Sequence, residues 1–294
     1  MSSLAPLDSQ ELIVVTGKGG VGKSAIAAAL GRRFAAAGRR ALVLEIDPRE
    51  NVHQMLGVSP SGGEIVAVAP RLYLQHLEPR SVLDQIVRER VRIELLVRRV
   101  LNSPVYHHFT QGAPGLKEMA VLGHSLILVE GRVPGAPEMD VVVLDAPATG
   151  HGLALLAAPL LVSEVIRHGP IATMASEVAR LVASAKRCGV VVVTQAEEMP
   201  VTEALEFVTL LQSRLQRQPE LILANGLYPA VDQGVQRRIE DPVTCLWMDR
   251  RRLNEYQLER LAADWQGPIG EIPLLPLDRG PALTAALEER LEQL

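Results

Sequence analysis

The chain has 294 residues, of which 48% are hydrophobic, 3% aromatic and 22% charged, and its formal net charge is −4 at pH 7. This composition predicts a folded protein with an aliphatic core, and the weak negative charge gives no support for nucleic-acid binding. No apolar run approaches the ~20 residues of a membrane span, and the first residues lack a secretory signal, so 1–10 are expected to be a flexible tail. Cys188 and Cys245 form no C-x-x-C pair, which predicts a cytoplasmic location and argues against a zinc or iron–sulfur site.

The most specific motif is GKGGVGKS at 17–24, which fits the phosphate-binding pattern G-x-x-x-x-G-K-[ST]. An apolar stretch typical of a buried strand precedes it at 12–16, and an alanine-rich stretch typical of a helix follows at 24–37. Glycines let backbone N–H groups approach a polyphosphate, and the positive end of the helix lies at the same place. We expect Lys23 to neutralise the β- and γ-phosphates and the Ser24 hydroxyl to bind Mg²⁺. The predicted phosphate-binding residues are Gly17, Gly19, Gly20, Val21, Gly22, Lys23 and Ser24.

Further along the chain, short apolar runs predict more buried parallel strands. They lie at 41–46, 141–145, 190–194, 221–224 and 268–272, and a hairpin is predicted at 64–69 and 72–76. Helical stretches include 202–214 and 281–293. This alternation predicts an α/β fold with a doubly wound, mostly parallel sheet, and the glycine loop makes it a P-loop NTPase.

One segment interrupts the alternation. A helical insertion is expected at about 78–132, with helices at 81–101 and 116–130, and a second helical stretch at about 155–187. We expect a single ATPase domain over 11–294 that carries these insertions. Five arginines lie on one face of the helix at 81–101: Arg88, Arg90, Arg92, Arg98 and Arg99. Such a face is most often solvated, and a docking surface for an acidic partner or anionic lipid is the alternative.

Polar residues follow several predicted strands, where doubly wound sheets bind their ligands. Asp145 follows four apolar residues, the Walker B arrangement, which predicts support of the Mg²⁺ shell through water. Asp47 has two available roles, Mg²⁺ contact or orientation of the attacking water, and its spacing does not separate them. Asn225 either hydrogen-bonds an adenine edge or forms a tight Asn-Gly turn. In the loop after Asp145, His151 either responds to phosphate, fixes the loop or is a structural histidine.

With its early lysine, Lys18, the run GKGGVGKS resembles the deviant Walker A motif. That motif is shared by the MinD/ParA ATPases, nitrogenase iron protein, and the arsenite-pump ATPase with its relative, the tail-anchored-protein targeting factor. Other segments resemble the last group: DAPATGHGL at 145–153 its switch II, DP at 47–48 its switch I, APGLKE at 113–118 its P-G-x-x-E element, and IPLLP at 272–276 its adenine-side loop. By this resemblance, which spans 12–285, the chain is identified as a single-half member of the arsenite-pump and targeting ATPase family.

The resemblance implies an ATPase that uses ATP and Mg²⁺ and releases ADP. Asp47 would polarise the attacking water, Asp145 would support Mg²⁺, and Lys23 would serve catalysis as well as binding. Lys18 would reach across an ATP-bound homodimer to the partner's nucleotide, so that hydrolysis reopens the dimer. The residues that would hold adenine are Asn225, Pro273, Leu275 and Pro276. The expected partner is a protein client or a membrane-associated protein, with no nucleic acid and no integral membrane segment.

Departures from the family pattern leave the cargo open. The chain has one ATPase half, no clustered cysteine ligands for arsenite and no zinc C-x-x-C. Switch I continues as Arg49-Glu50 where the family has Ala-His, and Ala148 stands where switch II usually has Pro.

A MinD/ParA-like spatial regulator is the main alternative, although the amphipathic stretch at 283–294 is acidic rather than basic. A nitrogenase-type reductase would need suitably placed cysteines, and Cys188 and Cys245 do not fit. A nucleotide-binding scaffold without turnover is disfavoured because both lysines and both aspartates are present.

Overall fold

The computed structural model describes residues 4–90, 94–133, 135–230 and 241–294. Within these ranges eight strands form one sheet. In chain order they are β1 (Leu12–Gly17), β2 (Ala41–Glu45), β3 (Val66–Ala69), β4 (Leu72–His76), β5 (Val141–Ala148), β6 (Cys188–Thr194), β7 (Leu221–Leu227) and β8 (Ile269–Pro273). Their spatial order is β3-β4-β2-β5-β1-β6-β7-β8, and all pairs are parallel except the β3–β4 hairpin. The predicted α/β fold with a mostly parallel sheet is confirmed.

Helices lie between most successive strands and cover both faces of the sheet. They are α1 (Lys23–Ala36), α2 (Val52–Leu56), α3 (Pro79–Arg90), α4 (Glu94–Leu101), α5 (Pro104–Gly112), α6 (Leu116–Val129), α7 (Thr149–Val165), α8 (Pro170–Ala183), α9 (Glu198–Leu215), α10 (Pro242–Asp264) and α11 (Pro281–Glu292). None of the helices in the described ranges is both long enough and apolar enough to cross a membrane.

Two hydrophobic cores lie on opposite faces of the sheet, because successive side chains of a strand point in opposite directions. In β1, Leu12 and Val14 belong to the core that includes α6 to α9, whereas Ile13 and Val15 belong to the core that includes α1 and α11. Every residue of β1 is buried, as expected for a central parallel strand covered on both faces. The strand ends that carry the predicted site are therefore held by two packed layers.

Several predicted elements differ from the observed ones. The strands predicted at 141–145 and 221–224 continue to Ala148 and Leu227, so Asp145 lies inside β5 and Asn225 inside β7 rather than after them. The helix predicted at 81–101 is described as α3 up to Arg90 and as α4 from Glu94 onward, and residues 91–93 between them lie outside the described residues. The stretch predicted at about 155–187 covers all of α8 and most of α7, which begins earlier at Thr149, and the long helix α10 was not predicted. Four helices, α3 to α6, occupy the region between β4 and β5 where the insertion is expected.

The described part of the N-terminal segment contradicts the expected flexible tail. Ala5–Ser9 form a 3₁₀ helix, and the side chains of Leu4 and Leu7 are 0% exposed in the core that includes α1. The Gln10 amide also donates a hydrogen bond of 2.8 Å to the Ala185 carbonyl. Burying two leucine side chains stabilises the fold by about 3–6 kcal/mol before entropy is counted, which explains why the segment is ordered.

The helix α11 packs on α1 and α2. Its Leu287 and Leu291 are buried, and Glu288 accepts a hydrogen bond of 2.6 Å from Arg32 of α1. The buried Thr284 hydroxyl donates to the main-chain oxygen of Met55 at 2.9 Å, which ties α11 directly to α2.

Candidate nucleotide-binding site

The glycine loop connects β1 to α1 at the carboxyl edge of the sheet. Gly17 has φ 152°, and a Cβ at this position would overlap the main-chain oxygen of Val193 on the neighbouring strand β6. Gly22 precedes the first residue of α1 with φ 95°, a left-handed conformation that favours glycine. The loop therefore requires glycine at these two positions for its path, which leaves its N–H groups available to phosphate oxygens.

Lys23 points back into this loop. Its Nζ donates a hydrogen bond of 3.0 Å to the main-chain oxygen of Lys18. Burial lowers the pKa of Lys23, while the negative charges of Asp145 and Asp47 raise it. The structure thus brings Lys23, Asp145 and Asp47 into one electrostatic cluster, as predicted from three separate segments of the sequence.

Asp145 is the most buried member of this cluster. Its register partners are Val15 on β1 and Glu45 on β2, and the residue is 5% exposed. Burial raises the pKa of Asp145 to about 6, against the opposing effects of a hydrogen bond with Ser24 and the charge of Lys23. Its Oδ1 is buried without a hydrogen-bond partner among the described residues.

An oxygen atom of this kind, beside a hydroxyl, fits Mg²⁺. A buried polar atom without a partner is costly, and hard divalent cations take carboxylate and hydroxyl oxygens as ligands, directly or through water. The residues present, Ser24 and Asp145, therefore fit the predicted metal as ligands.

Glu45 is a second buried carboxyl group at this edge, and sequence reasoning missed it. It is 1% exposed and accepts hydrogen bonds from the N–H groups of Asn51, at 2.7 Å, and Val52, at 3.2 and 3.3 Å. Burial is the main cause that raises the pKa of Glu45 to about 7. A glutamate inside the otherwise apolar run at 41–46 was the signal that could have identified it.

Asp47 lies in the exposed loop between β2 and α2. Its Oδ1 accepts a hydrogen bond of 3.0 Å from the Arg49 N–H, and its main-chain oxygen lies 2.7 Å from Nε2 of His76. The carboxylate is close enough to Lys23 and Asp145 to influence the pKa of both. This position is compatible with either of the two roles predicted for Asp47.

Asn225 contacts the phosphate loop directly. Its Nδ2 donates a hydrogen bond of 2.9 Å to the Val21 carbonyl, and a Cβ on Gly22 would overlap the same nitrogen. Its register partner is Ile272 on β8, which leads into the predicted loop at 273–276. The Leu274 N–H donates to Leu227 at 2.7 Å, so β7 and this loop stay together beside the glycine loop.

Within the loop at 273–276, Pro273 ends β8, Leu275 packs partly against the core that includes α1, and Pro276 is exposed. Arg279, just beyond it, donates to the Asn51 carbonyl at 3.4 Å. Asn225 therefore borders the phosphate loop, and Arg279, which follows the predicted adenine-side loop, contacts the end of the segment that joins β2 to α2.

Lys18 pairs within its own chain. Its Nζ lies 2.7 Å from Oε1 of Glu203 on α9, and each side chain is 30% exposed. No local sequence pattern indicates this pair, because Lys18 and Glu203 are 185 positions apart. The side chains of His151, Arg90 and Arg92 lie outside the described part of the structure.

A glycine loop between a buried strand and a helix, at the carboxyl edge of a mostly parallel sheet, defines a P-loop nucleotide-binding protein. A family model described as Anion-transporting ATPase matches residues 10–188. Since this match covers more than half of the chain, the chain belongs to the anion-transporting ATPase family, and the predicted family membership is confirmed. Nucleotide binding and ATP hydrolysis are the activities of this class.

Individual relatives agree with this assignment. ATPase BagA of Mycobacterium tuberculosis (strain ATCC 25618 / H37Rv) is 31% identical over 215 residues, which cover 69% of this chain and 61% of that protein. ATPase GET3C of Arabidopsis thaliana is 26% identical over 175 residues, 54% of this chain and 44% of that protein. The arsenical pump-driving ATPase of Escherichia coli is 31% identical over 160 residues, 53% of this chain and 26% of that protein. The chain thus spans less than two thirds of the length of these relatives.

Proposed function

We propose that this chain hydrolyses ATP with Mg²⁺ and that the reaction switches a homodimer between closed and open states that act on a protein client. The observation that carries the proposal is the buried, unpartnered Oδ1 of Asp145, which lies in the same cluster as Ser24 and Lys23 at the phosphate loop. Ser24 and Lys23 offset part of the cost of burying this carboxylate, and a cation bound at Oδ1 would stabilise its charged form further.

Each residue of the cluster has a distinct role in the proposal. The loop N–H groups and Lys23 bind the phosphates, and Lys23 exchanges its hydrogen bond to the Lys18 carbonyl for the phosphate oxygens. Ser24 and Asp145 hold Mg²⁺, which offsets phosphate charge in the transition state. Asp47 orients and polarises the attacking water from the exposed loop above them.

The dimer is proposed from Lys18. A lysine supplied from the partner chain stabilises transition-state charge only when two chains have closed on their nucleotides, so turnover becomes coupled to assembly. In the structure Lys18 pairs with Glu203. When the dimer closes on ATP, Lys18 would therefore leave Glu203 of its own chain and contact a phosphate of the nucleotide bound to the partner.

A protein client is supported by apolar side chains that two helices expose. Leu96 and Val100 on α4 are 44% and 38% exposed, and Leu160, Leu161 and Val165 on α7 are 45%, 44% and 83% exposed. Exposed apolar side chains grouped on one element are a common feature of protein-binding surfaces.

The alternative of a MinD-like membrane regulator receives no support from α11. Its Leu287 and Leu291 are buried in the core rather than available to a membrane. We therefore keep the ATP-gated dimer as the proposed function.

The test compares purified wild type with Lys23→Ala and Asp47→Asn. We expect Lys23→Ala to lose ATP binding or turnover, and Asp47→Asn to bind ATP but hydrolyse it at least ~100-fold more slowly and remain a closed dimer. Asp249→Asn, an exposed carboxylate of α10 paired with Arg252, is the matched control and should behave as wild type. Normal hydrolysis by Asp47→Asn would refute its role, and affinity capture with this variant and ATP would identify the client.

A further inference from the structure

A histidine from β4 forms a hydrogen bond with the loop that carries Asp47. His76 is the last residue of β4, and its ring lies between two groups of that loop. Nε2 is 2.7 Å from the main-chain oxygen of Asp47, and Nδ1 is 3.4 Å from Oε1 of Glu50. The side chains of His76 and Glu50 are 19% and 15% exposed, so these two side chains are largely buried, whereas Asp47 is exposed.

Glu50 is itself fixed. Its carboxylate accepts hydrogen bonds from the N–H groups of Ser61, at 2.8 Å, and Gly62, at 2.9 Å, and from the Ser61 hydroxyl at 3.2 Å. The Ser61 Oγ in turn accepts the main-chain N–H of His76 at 2.8 Å. The four residues Asp47, Glu50, Ser61 and His76 therefore form a closed network, which we call the histidine clamp.

The chemistry of the ring suits this position. The nitrogen that faces the Asp47 carbonyl must donate, because a carbonyl oxygen only accepts. The main-chain N–H of His76 donates to Ser61 Oγ, and the Ser61 hydroxyl donates to Glu50. His76 thereby connects the backbone at Asp47 to a carboxylate that is hydrogen-bonded to the separate segment at Ser61 and Gly62.

We propose that His76 is a positioning residue for Asp47, through the histidine clamp. The inference rests on the proposed role of Asp47 in hydrolysis. Asp47 is exposed on a short loop, and orientation of water requires that its backbone be fixed to a fraction of an ångström, since displacement by about 1 Å can cost ~100-fold in rate. The Glu45 carboxylate fixes the far end of the loop at Asn51 and Val52, and His76 fixes the end that carries the reactive side chain.

The test measures steady-state hydrolysis by His76→Ala, His76→Gln and Glu50→Gln. We expect His76→Ala to lower kcat by ~10- to 100-fold with KM for ATP changed less than ~3-fold, because ATP binding does not use the clamp. His76→Gln retains one donor and should recover a substantial part of kcat. The double variant His76→Ala, Glu50→Gln should lose little more than the first alone, since both changes break one network.

His107→Ala is the matched control. His107 pairs with Arg80 between α3 and α5, away from the phosphate loop, and its loss should leave kcat unchanged. Thermal unfolding and ATP binding are measured for every variant. If His76 had only a structural role, His76→Ala would lower the unfolding temperature and raise KM together. His76→Gln would then not restore kcat separately from these two quantities.

The outcomes separate this inference from the proposed function. If wild type hydrolyses ATP, Asp47→Asn does not, and His76→Ala keeps a kcat within ~2-fold of wild type, then the clamp is refuted while the proposed function stands. If Asp47→Asn hydrolyses ATP normally, the role of Asp47 and the clamp both fail.

Discussion

Replacing Glu203 by glutamine should strengthen ATP-dependent dimerisation. In the structure the Lys18 ammonium lies 2.7 Å from the Glu203 carboxylate, and the proposed closed dimer needs the same ammonium at the partner's nucleotide. Glutamine preserves the size of the side chain and removes its charge. The variant therefore releases Lys18 without removing it.

The magnitude follows from the exposure of the pair. With each side chain 30% exposed, the pair should contribute about 0.2–1 kcal/mol, as surface ion pairs do. A symmetric dimer breaks two such pairs, so closure should become easier by ~0.4–2 kcal/mol, which is roughly a 2- to 30-fold rise in the association constant. High salt screens the pair, so the difference should shrink above ~0.5 M salt.

The assay is sedimentation velocity with ATP and Mg²⁺, in an Asp47→Asn background that prevents turnover. Glu206→Gln is the matched control, because Glu206 is an exposed carboxylate on the same helix α9. An association constant that is unchanged or lowered in Glu203→Gln would refute the partner exchange. An unchanged dimer in Lys18→Ala would refute the role of Lys18 across the dimer.

Three further predictions concern single residues. Gly22→Ala should weaken binding of a fluorescent ATP analogue at least ~10-fold, with a stability loss of about 1–3 kcal/mol, because the left-handed φ of 95° and the contact with Asn225 both exclude a Cβ. Asp145→Asn should lose Mg²⁺-dependent hydrolysis yet raise the free energy of unfolding of the ligand-free chain at pH 7 by roughly 2–3 kcal/mol. The reason is that burial raises the pKa of Asp145 from 3.8 to about 6, so wild type gains stability as pH falls through 6, and urea denaturation should show the two proteins converging near pH 4. His124 should have the opposite effect and lower the stability of the fold as pH falls. Burial lowers its pKa from 6.5 to about 4, so the unfolded chain takes up the proton at a higher pH than the folded chain does. Urea denaturation should therefore show wild type losing about 2 kcal/mol between pH 7 and pH 5 through this group, and equal slopes for His124→Gln and wild type would contradict that assignment.

The sequence predicted those parts of the site that local pattern encodes. The phosphate loop is a continuous motif whose glycines, lysine and serine each have a fixed position. Buried parallel strands are continuous apolar runs, so the places of Asp47, Asp145 and Asn225 near strand ends could be predicted from sequence alone. The exact end of β5 could not be predicted, because Ala146, Pro147 and Ala148 are not residues typical of a strand.

Contacts between distant segments could not be predicted in this way. The partners Glu203 of Lys18 and His76 of Asp47 lie on other elements, and nothing in their neighbourhoods distinguishes them from surface residues. The helix α10 was missed for a different reason: Asn254 and Gln257 are among its buried residues, so its buried face is not apolar. The Asn254 side chain accepts a hydrogen bond from the Tyr228 N–H and donates one to the Ala196 carbonyl, each at 2.9 Å. Because these buried side chains are polar, the helix lacks the regular spacing of apolar residues by which a helix is predicted.

The contact between α11 and α2 has a practical consequence for protein engineering. The Thr284 hydroxyl holds Met55, and Arg279 reaches Asn51, so the segment that follows Asp47 rests on the C-terminal part of the chain. Cutting the chain before Pro281 should therefore slow chemistry as well as loosen the fold, even though the removed helix contains none of the predicted site residues. A reporter domain joined close to α11 carries the same risk, and a linker long enough to leave Leu287 and Leu291 packed is the safer design.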